Sequence, residues 1–295
     1  MENINKLEKE YASFVGSKYA VAVSSGTAAL HVSLVALGIG PGDEVIVPDF
    51  SMAAIGFSVS YTGAKVVTVD CDGSLNIDPN LIEAKINERT KAILVVHTYG
   101  RLAQMDTINK MARARGLYVI EDGCEAQGAA KAGKSDVLVF SLYKNKIIHA
   151  EEGGIICTDS KEIADNIRDL KNMAFGDKHN YYHARIGFNY RMPDSQAKLA
   201  LNSLHSYERN AERRSQFEDV WNNLIPTKKR DAVWVYDFRC ASGADRDAKI
   251  AELTEKGVQW RYFFKPLSTM PMFKQEVGVN ALDYSNRGLY ICYHE

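Results

Sequence analysis

Short apolar runs rich in Val, Ile and Leu recur along the chain at 19–23, 44–47, 65–69, 92–96, 117–120, 137–140 and 154–157. Between most of them the apolar positions take helical spacing instead, as at 80–87 and 105–115. Continuous apolar runs suit strands buried on both faces. Their alternation with helices predicts an α/β fold: a seven-stranded, mostly parallel sheet sandwiched by helices. Ahead of the first strand, Ile4, Leu7, Tyr11, Phe14 and Val15 define a short amphipathic helix over 3–15, and a second helix is predicted over 28–37. Gly40-Pro41-Gly42-Asp43 marks a turn. Further on, a helix is predicted over 160–172, then a polar, aromatic loop at 176–189 suited to a surface or interface. A long helix over 195–223 follows Pro193-Asp194. From 231 the pattern becomes that of a small α+β unit, with strands at 233–238 and 258–264 around a helix at 246–256. The chain divides accordingly into a large α/β domain, 1–208, and a smaller C-terminal α+β domain, 209–295.

In largely parallel sheets ligands sit beyond the carboxyl ends of the strands. The polar residues there are Ser25, Gly26 and Thr27, residues 49–52, His97, Asp122, and Ser141 with Lys146. The most unusual is Lys146, caught between two buried runs, because burying an ammonium costs several kcal/mol unless it is paired or neutral. That marks it as an amine used chemically. The turn at 24–27, joining a strand to a helix N-terminus, is either an anion site or a plain connection. Asp122 puts a carboxylate at a strand end ahead of Lys146; it could also cap a following helix. Amine, carboxylate and anion-binding turn together match what pyridoxal 5'-phosphate requires: a Schiff-base lysine, a partner for the ring nitrogen and a phosphate holder. Lys144 is a rival for the amine. His97, His149 and His183 read as satisfied or solvated.

Charge narrows the partners. With 36 Lys and Arg against 37 Asp and Glu, the net charge of −1 suggests neither nucleic acid nor a membrane surface. No apolar run approaches the roughly 18 residues of a membrane helix, and no apolar leader opens the chain. Five scattered cysteines without metal-ligand spacing read as free thiols and predict no metal site. A cytoplasmic protein is expected.

The motifs carry a resemblance. Ser-Ser-Gly-Thr-Ala-Ala-Leu at 24–30, Gly-Pro-Gly-Asp-Glu-Val-Ile-Val-Pro at 40–48, Val-Ile-Glu-Asp at 119–122, Phe-Ser-Leu-Tyr-Lys-Asn-Lys at 140–146, the Glu-Gly-Gly at 152–154, Gly-Phe-Asn-Tyr-Arg-Met at 187–192 and the segment 261–267 are similar to the DegT/StrS family of nucleotide-sugar aminotransferases. The resemblance implies a fold-type-I, pyridoxal phosphate-dependent homodimer with shared sites. It also implies an amino group moved from glutamate, leaving 2-oxoglutarate, to a keto nucleotide-sugar of the 4-keto-6-deoxy, perosamine-like kind used in polysaccharide biosynthesis. By the same resemblance, spacing selects Lys146 over Lys144 as Schiff-base and acid/base residue, and Asp122 pairs with the ring nitrogen. Gly26, Thr27, Ala28 and Ser141 surround the cofactor phosphate, and Asn189 reaches the phosphate in a neighbouring subunit. Glu125 lies near the phenolic oxygen, and Met52 stands where many relatives stack an aromatic ring. Lys178, Arg185 and Arg261 are candidates for the nucleotide diphosphate. The family pattern adds an N-terminal segment and a final helix that this sequence does not contain, which bears on substrate binding and on the small domain. Alternative readings are a sugar dehydratase of the family, in which histidine typically replaces the lysine, and a non-catalytic cofactor-binding relative.

Overall fold

The computed structural model describes residues 2–176 and 181–293. Helix α1 (Glu2–Val15) leads into β1 (Tyr19–Val23) and α2 (Gly26–Ala36), then β2 (Glu44–Pro48), α3 (Ala54–Tyr61), β3 (Lys65–Val69) and α4 (Pro79–Ile82). Strand β4 (Thr90–Val96), α5 (Met105–Arg115), β5 (Tyr118–Asp122), β6 (Val137–Ser141), β7 (Gly154–Thr158) and α6 (Lys161–Lys171) complete the large α/β layer. All seven predicted strands form one sheet, in the order β1-β7-β6-β5-β4-β2-β3. Only β7 runs against its neighbours. No helix lies between β6 and β7, and the chain folds straight back on itself through a loop closed at its base by backbone hydrogen bonds. That helix-free return, residues 142–153, carries Lys146.

The rest of the chain comprises α7 (Asp194–His205), α8 (Tyr207–Leu224), β8 (Tyr236–Arg239), α9 (Gly243–Glu255), β9 (Trp260–Tyr262), α10 (Val279–Arg287) and β10 (Gly288–Ile291). A small antiparallel sheet orders its strands β8-β10-β9. The helix expected over 195–223 is two helices, because Ser206 leaves helical geometry at φ −97°, ψ 8°. The strand expected from 233 starts only at Tyr236, since the Trp234 carbonyl accepts from Arg214 of α8 and not from a neighbouring strand. Helix α3, apolar almost all round, has no amphipathic period to betray it, and α10 and β10 were likewise not anticipated. The boundary drawn at 208/209 falls in the first turn of α8. Among the described residues no helix is long and apolar enough to cross a membrane.

The two sheets are tied together by the chain that follows β9. Leu267 and Phe273 pack into the same core as Val45, Val47 and Ile55. Asp49, buried just past β2, accepts from Ser268 N and Oγ at 2.8 Å each and from Gly278 N at 3.0 Å. Gln275 lies along the outer edge of β3, accepting from Thr68 N at 3.3 Å and donating to Val66 O at 3.0 Å. The outer edge of β1 is met in the same way. Ala22 N donates to Glu8 at 2.9 Å, while Lys171 and Arg168 donate to the carbonyls of Ala22 and Ala20 at 2.7 and 3.2 Å.

Replacing Asp49 leaves buried donors without an acceptor, so Asp49→Ala is expected to cost about 2–4 kcal/mol in urea unfolding. A loss below about 1 kcal/mol would show that this junction is not held by the carboxylate.

Candidate active site

The loop 142–153 is closed at its base like a hairpin, with Leu142 N donating to Gly153 O and Ala150 N to Leu142 O, both at 2.8 Å. Gln127 stitches it from within. Its Nε2 donates to the carbonyls of Ser141 and Ile148 at 3.0 and 2.9 Å, and its Oε1 accepts from Ile148 N at 2.8 Å. Asn210 of α8 donates to Ile147 O at 3.2 Å. Lys146 is therefore turned inward and buried, whereas Lys144 is exposed. Where β7 begins, Gly154 passes so close to the turn before α2 that a Cβ there would lie 2.4 Å from the Ser25 carbonyl oxygen. A Cβ on Gly26 would lie 3.0 Å from that of Ser141. Glycine at both positions brings the α2 N-terminus against the end of β6.

These elements surround a cavity of about 400 Å³ whose lining includes Gly26, Thr27, Met52, Asp122, Glu125, Ser141 and Lys146. All but two of the expected cofactor residues thus converge. The Ala28 amide is taken by Ser25 Oγ at 3.1 Å, and Ala28 lies outside the lining. Asn189 is exposed and also lies outside it, its backbone bridged to Asn172. Of the diphosphate candidates, Lys178 lies outside the described residues, and exposed Arg185 pairs with Asp169 at 2.6 Å. Arg261 lines an adjoining cavity with Lys144, Tyr143 and Tyr293. None of His97, His149 and His183 lines the cavity that holds Lys146. His97 is satisfied: Nδ1 accepts from Ala103 N at 3.1 Å, so Nε2 carries the hydrogen and donates to Glu121 at 2.7 Å.

The C-terminal region supplies a roof that the sequence did not reveal: Trp234, Phe264 and Tyr290. All three pack on Tyr99, whose ring lies 4.9 Å from that of Phe264 and 6.2 Å from that of Trp234, both stacked. Tyr99 holds a left-handed backbone, φ 50°, which costs a non-glycine residue about 1–3 kcal/mol. Its N–H donates to Glu125 at 2.7 Å, and its hydroxyl accepts from Phe264 N at 3.2 Å.

Burial dominates the electrostatics. It pushes the Lys146 amine below the usual lysine range, against the opposing pull of Glu125, Cys124 and Asp122, and so favours a neutral nucleophile. The Nζ sits 3.6 Å from the centre of the Trp234 ring. Burial also raises Asp122, whose Oδ1 accepts from Cys124 N at 2.8 Å; no helix follows for it to cap. Glu125 is pushed up to about 7 by burial, with Lys146 and the Tyr99 N–H pulling the other way.

A family model described as the DegT/DnrJ/EryC1/StrS aminotransferase family matches residues 2–291. The chain is 38% identical over 290 residues to a GDP-perosamine synthase of Caulobacter vibrioides, covering 92% of this chain and 78% of that one. Among solved structures, a DegT DnrJ EryC1 StrS aminotransferase from Brucella abortus superimposes with a TM-score of 0.91 at 29% identity, covering 100% of this chain and 86% of the other. The ntda protein of Bacillus subtilis, solved with bound cofactor PMP, gives 0.85 at 28% identity, covering 98% and 72%.

Because the folded pKa of Glu125 lies above its unfolded value, its protonated form stabilises the fold below about pH 4.5, and that contribution is lost as pH rises towards 7. Glu125→Gln keeps an acceptor for Tyr99 N–H without the charge. The cofactor-free variant should gain about 1–3 kcal/mol over wild type at pH 8 relative to pH 5 in urea unfolding. Parallel pH profiles for the two proteins would refute this.

Proposed function

The chain belongs to the DegT/DnrJ/EryC1/StrS aminotransferase family, and on that premise we propose that it transfers an amino group from glutamate to a keto nucleotide-sugar, a 4-keto-6-deoxy sugar of the perosamine kind. The observation that carries this reading is the meeting of Lys146, Asp122, Ser141 and the α2 N-terminus in one cavity. The name of the Caulobacter relative supports the sugar class.

The residues fit pyridoxal phosphate. Asp122 is a buried carboxylate held high by burial, and a cationic ring nitrogen would relieve it. At the other end, the first turn of α2 leaves N–H groups without intrahelical acceptors and adds a favourable dipole. Thr27 belongs to that turn and Ser141 stands beside it, where Gly26 keeps the cradle open. When bound, the cofactor supplies a carbonyl for amines to condense with and a ring that stores the electron pair freed at carbon.

The protein's own residues do the rest. Lys146 Nζ, whose neutral form burial favours, would hold the cofactor and serve as the base for the proton on the donor's α-carbon. Asp122 would keep the ring nitrogen protonated, Glu125 would face the phenolic oxygen, and Met52, which lines the same cavity, would pack on the ring. The roof of Trp234, Phe264 and Tyr290 keeps water from the amine. Arg261, in the adjoining cavity, is the candidate for the diphosphate. Asn189, exposed in a loop with Tyr182 and Ile186, serves the site of a second copy, making the working unit a homodimer. Five free thiols support a cytoplasmic setting.

Lys146→Ala should lose the absorbance of covalently held pyridoxal phosphate and all turnover, while Lys144→Ala keeps both; the reverse result would mean that the other lysine is the anchor. Incubation of the enzyme with nitrogen-labelled glutamate and a panel of keto-sugar nucleotides, read by mass spectrometry, should place the label on a 4-keto-6-deoxy sugar. Label on no sugar of the panel would sink the proposed reaction.

A further inference from the structure

Two chain segments meet at the Lys146 amine, and neither is held there by regular structure. Lys146 lies in the loop between β6 and β7, and Trp234, whose ring faces Nζ at 3.6 Å, lies ahead of β8. The Arg214 side chain joins them. Arg214, buried on α8, donates from Nη1 to Trp234 O at 2.8 Å, and from Nη2 to Asn145 O at 3.1 Å and Lys146 O at 3.2 Å. The Tyr293 ring covers the guanidinium at 4.3 Å.

We propose that Arg214 is the positioning residue for Lys146, fixing the backbone of the lysine to that of the tryptophan so that the amine is held between the indole face and the carboxylates of Asp122 and Glu125. The rigid fork of arginine spans carbonyls of separate segments, which the point-like ammonium of a lysine does not. Proximity adds a second effect. The groups that face the amine from the end of β5 and the turn after it, Asp122, Cys124 and Glu125, favour its charged form, whereas Arg214 from α8 joins burial in opposing it. The same guanidinium therefore aims the amine and favours its neutral form.

The test is covalent capture of pyridoxal phosphate by the full-length, cofactor-free protein. Capture is followed by absorbance across pH and fixed with cyanoborohydride so that peptide mapping identifies the modified lysine. Thermal unfolding of each variant is recorded alongside, and capture is compared well below all melting points. Arg214→Met should capture the cofactor at least about tenfold more slowly, because the amine is no longer aimed. Its pH midpoint should also move upward, because a cation that opposed protonation is gone. Arg214→Lys should keep the wild-type midpoint but remain slow. A lowered Tm with an unmoved midpoint in Arg214→Met would assign the arginine to packing alone and overturn the proposal. Should Arg214→Met not fold, Arg214→Lys decides: capture within about twofold of wild type overturns it, and a rate about tenfold down supports it.

Discussion

An amine buried in a cavity is the condition to which the surrounding structure answers. Taking an ammonium out of water costs several kcal/mol, and a folded chain meets that cost either by pairing the charge or by shedding it. This chain does some of each. Asp122 and Glu125 stand close enough to pull the proton on, while burial and Arg214 push it off, with burial the largest influence. Burial, the largest of these influences, shifts the balance towards the neutral amine. The carboxylates are affected by the same burial, and Glu125, raised to about 7, titrates near neutrality.

The roof over that amine belongs to the C-terminal third of the chain. Tyr99 links the two, with its N–H on Glu125 beneath and its ring against Phe264, Trp234 and Tyr290 above. Its left-handed backbone is tolerated because that hydrogen bond and the aromatic packing hold it from both sides. Large and small sheets are thus joined at the site as well as at Asp49.

Much of the large layer was legible because its strands are continuous apolar runs separated by helical spacing, a pattern set by burial on both faces. The rim residues were legible because a buried lysine and a strand-end aspartate conflict with the apolar pattern around them. What stayed hidden depends on contacts distant in sequence. Trp234 lies in an alternating, strand-like run, but its carbonyl is taken by Arg214, 20 residues earlier. Gln127, which stitches the lysine loop, reads in sequence as an ordinary polar residue after a strand. Nothing in the sequence says that the Ser25 hydroxyl takes the Ala28 amide.

The two edges of the large sheet have a consequence for assembly. An open edge is a row of backbone donors and acceptors on which another chain can build a further strand. Here both rows are occupied by side chains: Gln275 along β3, and Glu8, Lys171 and Arg168 along β1. Pairing of the large sheet with a further strand at either edge is therefore disfavoured.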